Sequence, residues 1–161
     1  MLSIRQALES DRDSVWGIFH AVVAGGDTYA FDPSISKEEA LGYWHHPANR
    51  CHVAERDGKI VGTYILKANQ PGLGSHVANA AFMVAPNARG LGVGQALGEH
   101  CVDEARRLGF RAMQFNFVVS TNESALRLWQ KLGFKIVGTL PGAFRHPIKG
   151  DVDVYVMYRA L

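Results

Sequence analysis

The run Arg89-Gly90-Leu91-Gly92-Val93-Gly94 stands between an apolar stretch and a helical pattern. Glycines at alternate positions let the backbone approach a ligand without Cβ collisions. A helix opening just after them offers unpaired N–H groups and the positive end of its dipole, which together attract an anion. Arg89 adds a cation, and a pyrophosphate is the natural guest. Two familiar phosphate loops are excluded. No Gly-Lys-Ser/Thr occurs, so there is no Walker A loop. The glycines at 90, 92, 94 and 98 never give the G-x-G-x-x-G spacing of a dinucleotide fold. The pattern Arg/Gln-x-x-Gly-x-Gly/Ala is matched in full.

The elements that must hold this turn can be read from periodicity. Leu2 to Leu8 alternates like a strand. Asp11–Val23 carries apolar residues at helical spacing, with Ser10 or Asp11 as N-cap and Gly25-Gly26-Asp27 as its end. Ser36 and Glu39 have capping-box spacing and open a helix that ends near Trp44. Asp57-Gly58 joins two β-rich runs, His52–Arg56 and Ile60–Leu66, as a hairpin. A strand Val77–Val84 leads into the glycine turn, and a helix from Gly92 to Leu108 follows it. Arg111–Val119 is a strand and Asn122–Leu132 a helix. Strands Ile136–Leu140 and Val152–Tyr158 close the chain, joined by a loop, Pro-Gly-Ala-Phe-Arg-His-Pro-Ile-Lys-Gly-Asp. Interleaved helices and hairpins make this a mixed α/β (α+β) class with a partly antiparallel sheet.

The glycine turn, the strand ending Phe-Met-Val-Ala-Pro, the long helix, and the later block from Asn122 through Trp129 to Lys131-Leu132-Gly133-Phe134 together resemble the GNAT superfamily of N-acetyltransferases. The resemblance spans essentially the whole chain, 1–161, as one domain. It implies the GNAT fold: a mostly antiparallel sheet of six or seven strands, about four flanking helices, and two central parallel strands that splay apart. It implies acetyl-CoA as acetyl donor and no metal. The backbone at Phe82, Met83 and Val84 would pair with the pantetheine arm. The amides of Gly90, Leu91, Gly92, Val93 and Gly94, with Arg89, would hold the pyrophosphate. Asn122 would contact the cofactor from across the gap. A backbone N–H near Met83 or Val84 would stabilise the oxyanion.

Two departures from the family pattern matter chemically. Many relatives place a Glu base on the strand before the turn, but His76–Val84 contains no carboxylate. Asn79 and Asn116, one on each central strand, stand there instead. Asn is disfavoured in strands, and an unpartnered buried amide costs about 1–3 kcal/mol. Either both amides are satisfied structurally, or they aim at substrate or a catalytic water; the second reading makes them the catalytic candidates. Trp129 replaces a Tyr that would protonate the departing thiolate, and an indole N–H cannot do so near neutral pH. Trp129 is expected to pack on the cofactor or in the core.

By the same resemblance, the acceptor lies between the loop Asp27–Asp32 and the segment Phe144–Lys149. Tyr29 and Phe31 suit a small apolar body, and Arg145, His146 and Lys149 suit a carboxylate. If these groups are more than solvated surface charges, the acceptor amine belongs to an amino acid or analogue, as in relatives that acetylate phosphinothricin or proline analogues. The other class of reading is a peptide or protein acetyltransferase, or a module that senses acetyl-CoA. Dimers are common in the family.

Composition sets the outer limits. The 161 residues include 17 Lys plus Arg and 15 Asp plus Glu, a net +2 that argues against a nucleic-acid partner. Hydrophobic residues are 47% and charged residues 20%, which suits a folded domain over a disordered chain. His45, His46, Cys51 and His52 match no standard zinc spacing. Cys51 and Cys101 read as free thiols, and no leader or apolar run long enough to span a membrane is visible, so a cytoplasmic protein is expected.

Overall fold

The computed structural model describes residues 1–161. Its strands are β1 (Leu2–Gln6), β2 (Arg50–Arg56), β3 (Lys59–Ala68), β4 (Val77–Val84), β5 (Ala112–Val119), β6 (Lys135–His146) and β7 (Gly150–Ala160). Its helices are α1 (Arg12–Ala24), α2 (Lys37–Trp44), α3 (Val93–Arg107) and α4 (Glu123–Lys131). All strands join one sheet in the order β1-β2-β3-β4-β5-β7-β6. Every neighbouring pair is antiparallel except β4 and β5. This is the mixed sheet that the sequence implied.

Strand alternation divides the core into two layers. Val15, Phe19 and Val23 of α1, with Leu41 and Trp44 of α2, pack on Val53, Ile65 and Met83. Val93, Leu97, Cys101 and Ala105 of α3, with Trp129 of α4, pack on Tyr64, Leu66, Ala80, Met113 and Phe115. Two buried polar side chains satisfy each other: Trp44 Nε1 donates to Thr63 Oγ1 at 3.0 Å, and Thr63 Oγ1 donates to the His52 carbonyl at 2.8 Å. Cys51 and Cys101 are separate buried thiols.

Local signals account for most boundaries. Asp57 and Gly58 both have positive φ, 52° and 76°, as a tight hairpin turn requires. Ser36 Oγ accepts the Glu39 N–H at 3.1 Å and starts α2. Asp11 differs from expectation. It stands at the start of α1, but its carboxylate accepts the Leu8 N–H and pairs with Arg5 Nη1, both at 2.7 Å. That ion pair ties β1 to the helix and holds the Asp11 carboxyl below its ordinary range.

The end of the chain corrects the sequence reading. The segment expected as a long loop is mostly strand: β6 runs to His146 and pairs with β7 through His146↔Gly150. The register shifts between Leu140 and Phe144, so Pro141 and Gly142 fall in an irregularity. β6 is an edge strand, where Pro is tolerated because one side needs no ladder donor. Only Pro147–Lys149 turn.

α3 sits directly on β3 at Gly62. A Cβ there would lie 2.9 Å from both Val93 Cγ1 and Leu97 Cδ1, and 3.3 Å from the Met83 carbonyl. Gly62→Ala is expected to cost about 1–3 kcal/mol and lower Tm by roughly 3–10 °C, read by thermal melting. An unchanged Tm would mean that α3 is not clamped there.

His52 is buried against this layer, its ring stacked on Tyr64 at 4.7 Å and 5.3 Å from His100. Its Nδ1 has no partner. Burial, helped by His100, holds its pKa below 6.5, with Glu104 and Arg50 acting more weakly nearby. The unfolded chain therefore takes up a proton from about pH 6.5 downward while the folded chain resists it, so stability falls as pH drops through that window. Urea midpoints at pH 7.5 and 5.5 should show this loss, and His52→Phe should flatten it. An undiminished loss in His52→Phe would clear His52 as its source.

Candidate active site

β4 and β5 begin as parallel neighbours and then part. Only Val77↔Ala112 and Ala78↔Met113 pair, although the strands run on to Val84 and Val119. Asn79 sits at the fork, where its Nδ2 donates to the Gln114 carbonyl at 3.0 Å, in place of the next rung. Beyond it β4 has no strand partner on the β5 side. Register pairs Met83 with Thr63 and Ala81 with Ile65 on β3. Flanking bonds from Ala85 N–H to Val61 and from Asn69 N–H to Val77 fix the alternation. Odd-numbered residues of β4 thus bond β3, and Ala80, Phe82 and Val84 turn their peptide groups toward β5. The backbone groups near the glycine turn that face away from β3 belong to Phe82 and Val84, not to Met83. Met83 contributes a side chain that is 2% exposed.

The gap is the mouth of a cavity of about 1180 Å³. Its walls include Phe82, Met83, Val84, Arg89, Gly90, Gly92, Val93 and Gly94 on one side, and Asn122 and Trp129 from α4. Gly90 and Gly92 adopt φ of 75° and 79°, a left-handed region costly for other residues. Gly92 is the N-cap of α3 and brings no side-chain cap, so the first-turn amides face outward unpaired. Arg89 makes no ion pair within the protein. Leu91 does not line the cavity; it is 55% exposed, and its carbonyl accepts from Arg56 Nη2 at 3.3 Å, which steadies the turn. Asn122 Oδ1 caps α4 by accepting the Ala125 N–H at 3.4 Å. The residues fit an elongated anionic ligand: a preformed amide cradle, a free cation and a strand edge without a neighbouring strand line the same cavity.

Trp129 is 8% exposed and packs 4.8 Å from both Phe82 and Phe115. It is an apolar wall whose only donor is an indole N–H.

The opposite end of the cavity is framed by the α1–α2 loop and the β6–β7 turn. Phe31 anchors the loop, its ring 5.0 Å from both Phe19 and Tyr43. Tyr29 stacks on Phe31 at 6.0 Å and reaches the gap. Its hydroxyl accepts the Phe82 N–H at 3.1 Å and donates to the Phe82 carbonyl. Burial pushes the Tyr29 phenol up to about 12. Next to it, Thr28 Oγ1 is buried without a partner. Asn116 also lines the cavity; its Nδ2 donates to Asn69 Oδ1 at 2.7 Å and its Oδ1 accepts from Gln114 Nε2 at 2.9 Å.

His146 and Lys149 line the cavity, but Arg145 does not. Successive side chains of β6 point to opposite faces, and Arg145 lies on the other one, opposite Asp151 in register. His146 Nδ1 accepts the N–H groups of Ile148 and Lys149, both at 3.1 Å. Those two bonds commit Nδ1 as acceptor, which leaves the proton on Nε2 and makes the neutral ring a donor. Sequence reasoning missed the Tyr29–Phe82 bridge and the Asn69–Asn116–Gln114 amide chain, because both join segments far apart along the chain. No group of three His, Cys, Asp or Glu converges to hold a metal ion, and no helix is long and apolar enough to cross a membrane.

A GCN5-related N-acetyltransferase from Kribbella flavida superposes with a TM-score of 0.95 at 46% identity, covering 99% of this chain and 98% of that one. N-acetyltransferase aca1 of Schizosaccharomyces pombe is 32% identical over 81% of this chain and 71% of its own length. A phosphinothricin acetyltransferase from Sinorhizobium meliloti, solved in complex with acetyl-CoA, has the same fold: TM-score 0.87 at 23% identity, over 99% of this chain and 88% of that one. The acetyltransferase (GNAT) family model matches residues 16–134, across the glycine turn and the Asn122–Phe134 block. The splayed strands, the amide cradle and these matches agree, and the chain belongs to the acetyltransferase (GNAT) family.

Proposed function

We propose that this protein moves the acetyl group of acetyl-CoA to the amine of a small molecule, an amino acid or an analogue, by direct attack within a ternary complex. The observation that supports this reading is the junction at Phe82, where a pyrophosphate-type cradle and a polar end of the same cavity meet at a strand edge that no neighbouring strand covers. Arg89 and the amides of Gly90 to Gly94 hold the phosphates, with Asn122 opposite. The Phe82 and Val84 peptide groups hold the arm, and the Phe82 N–H, not that of Met83, faces the developing oxyanion. When bound, acetyl-CoA supplies an acyl carbon that an amine can attack and a thiolate that can leave. No residue at position 129 protonates that thiolate, and with a thiol reference pKa of about 8.5 none is required.

The amine must arrive neutral. The carboxylates lining the cavity, Asp27 and Glu123, are both exposed, and His146 holds its proton on Nε2. Deprotonation through water, ordered by Asn79 and Asn116, fits this lining. Asn79 spends its Nδ2 on the fork and keeps Oδ1 for a guest. His146 Nε2–H and the Lys149 ammonium favour a carboxylate on the acceptor. Tyr29 and Phe31 give its body an apolar wall. The β6–β7 turn narrows the pocket, which favours a small acceptor over a peptide groove. No nucleic-acid or membrane partner enters this reading.

A thiol-release assay with free amino acids and analogues, simple amines and short peptides tests it. Turnover is expected to be highest with a carboxylate-bearing small amine. Asn79→Ala and Asn116→Ala should each lower kcat/KM by about 10²-fold, the scale of losing one well-placed polar group at the reacting centre. Preference for peptides, or rates unchanged in both variants, would overturn it.

A further inference from the structure

The Tyr29 hydroxyl does for Phe82 what a neighbouring strand would do. One oxygen accepts its N–H and donates to its C=O. These groups lie where β5 has already turned away, on the strand edge between the fork and the glycine turn. The oxygen comes from a loop that also walls the other pocket: Phe31 locks it to α1 and α2, and Gly26, with φ 68°, stands at its base. A Cβ at Gly26 would lie 3.8 Å from Pro147 Cγ, so the loop borders the β6–β7 turn as well.

We propose that Tyr29 is a displaceable plug in the acyl subsite: its hydroxyl satisfies the Phe82 peptide in the free protein and must leave when the acyl oxygen of the donor takes the Phe82 N–H. The inference rests on the acetyl-CoA reading above and adds a residue and a coupling to it. Leaving Phe82 turns the hydroxyl toward the acceptor pocket, which Tyr29 already lines. Donor binding thus completes that pocket, and an acceptor that holds the released hydroxyl tightens donor binding by the same factor. Tyr29 is a positioning residue and not an acid. With its phenol raised to about 12 and a thiol near 8.5, a proton runs from thiol to tyrosinate and not the reverse.

Tyr29→Phe keeps the stacked ring and removes the plug. Calorimetric titration with acetyl-CoA, without acceptor, should show about 3- to 10-fold tighter binding to the variant, the range set by freeing one or two ordinary hydrogen bonds. Amide exchange at Phe82 should be slow in the free wild-type protein, fast in free Tyr29→Phe, and slow in both once acetyl-CoA is bound. Equal or weaker binding by the variant would overturn the plug, since a merely structural tyrosine could only lose affinity. Failure of the wild-type protein to bind acetyl-CoA would remove the donor reading itself, and the plug with it; slow exchange at Phe82 would then mark Tyr29 as structural only.

Discussion

A buried peptide group without a partner costs about 1–3 kcal/mol, and β4 and β5 separate after two rungs of parallel pairing. The sheet tolerates the break because each half has somewhere else to go. β5 turns to β7, with a register shift between Phe115 and Val118 that accommodates the bend. β4 stays on β3, and its other edge is met by side chains: Asn79 bonds the Gln114 carbonyl at the fork, and Tyr29 bonds Phe82 further on. The edge that results has no neighbouring strand, and the walls of the cavity are arranged around it.

Positioning comes from packing at small residues. α3 meets β3 where Gly62 has no side chain, which brings the helix N-terminus and its free amides level with the end of β4. Gly94 lies under Leu128, where a Cβ would sit 3.4 Å from Cδ2, so α4 approaches the same turn closely. Trp129 packs across the splayed strands, its ring against Phe82 of β4 and Phe115 of β5. The charge pattern follows this geometry. Arg89 has no acidic neighbour to neutralise it, whereas Arg5, Arg106 and Arg107 are each paired with carboxylates. An anion near Arg89 therefore meets an uncompensated cation and a helix dipole together.

The glycine-turn end of the cavity was legible because its signals are local. The glycine turn, the strand before it, the helix after it and the Asn122 cap all lie within short stretches whose residue types dictate backbone shape. The Asp57-Gly58 hairpin was legible for the same reason. The opposite end of the cavity was not. Pro141, Gly142 and Pro147 read as loop, yet an edge strand absorbs the first two in an irregularity and β6 runs on to His146. That extension fixes strand alternation through Phe144–His146, which takes Arg145 off the cavity and keeps His146 on it. Asn79 and Asn116 stand out in the sequence as misfits in strands, but their partners Gln114 and Asn69 are set by the splay and carry no sequence signal. Tyr29 was expected as apolar lining; its bond to a peptide 53 residues away depends on how α1 and α2 stack over the sheet.

The central claim is that the β4 edge and the glycine turn form one continuous donor site. Mapping amide chemical shifts of the labelled protein during titration with acetyl-CoA tests it most directly. The account predicts saturable shifts at Phe82 and Val84 together with Gly90, Gly92 and Gly94, while Met83, whose amide faces β3, moves far less. Binding that shifts the glycine amides but leaves Phe82 and Val84 unmoved, or that moves neither set, would contradict it.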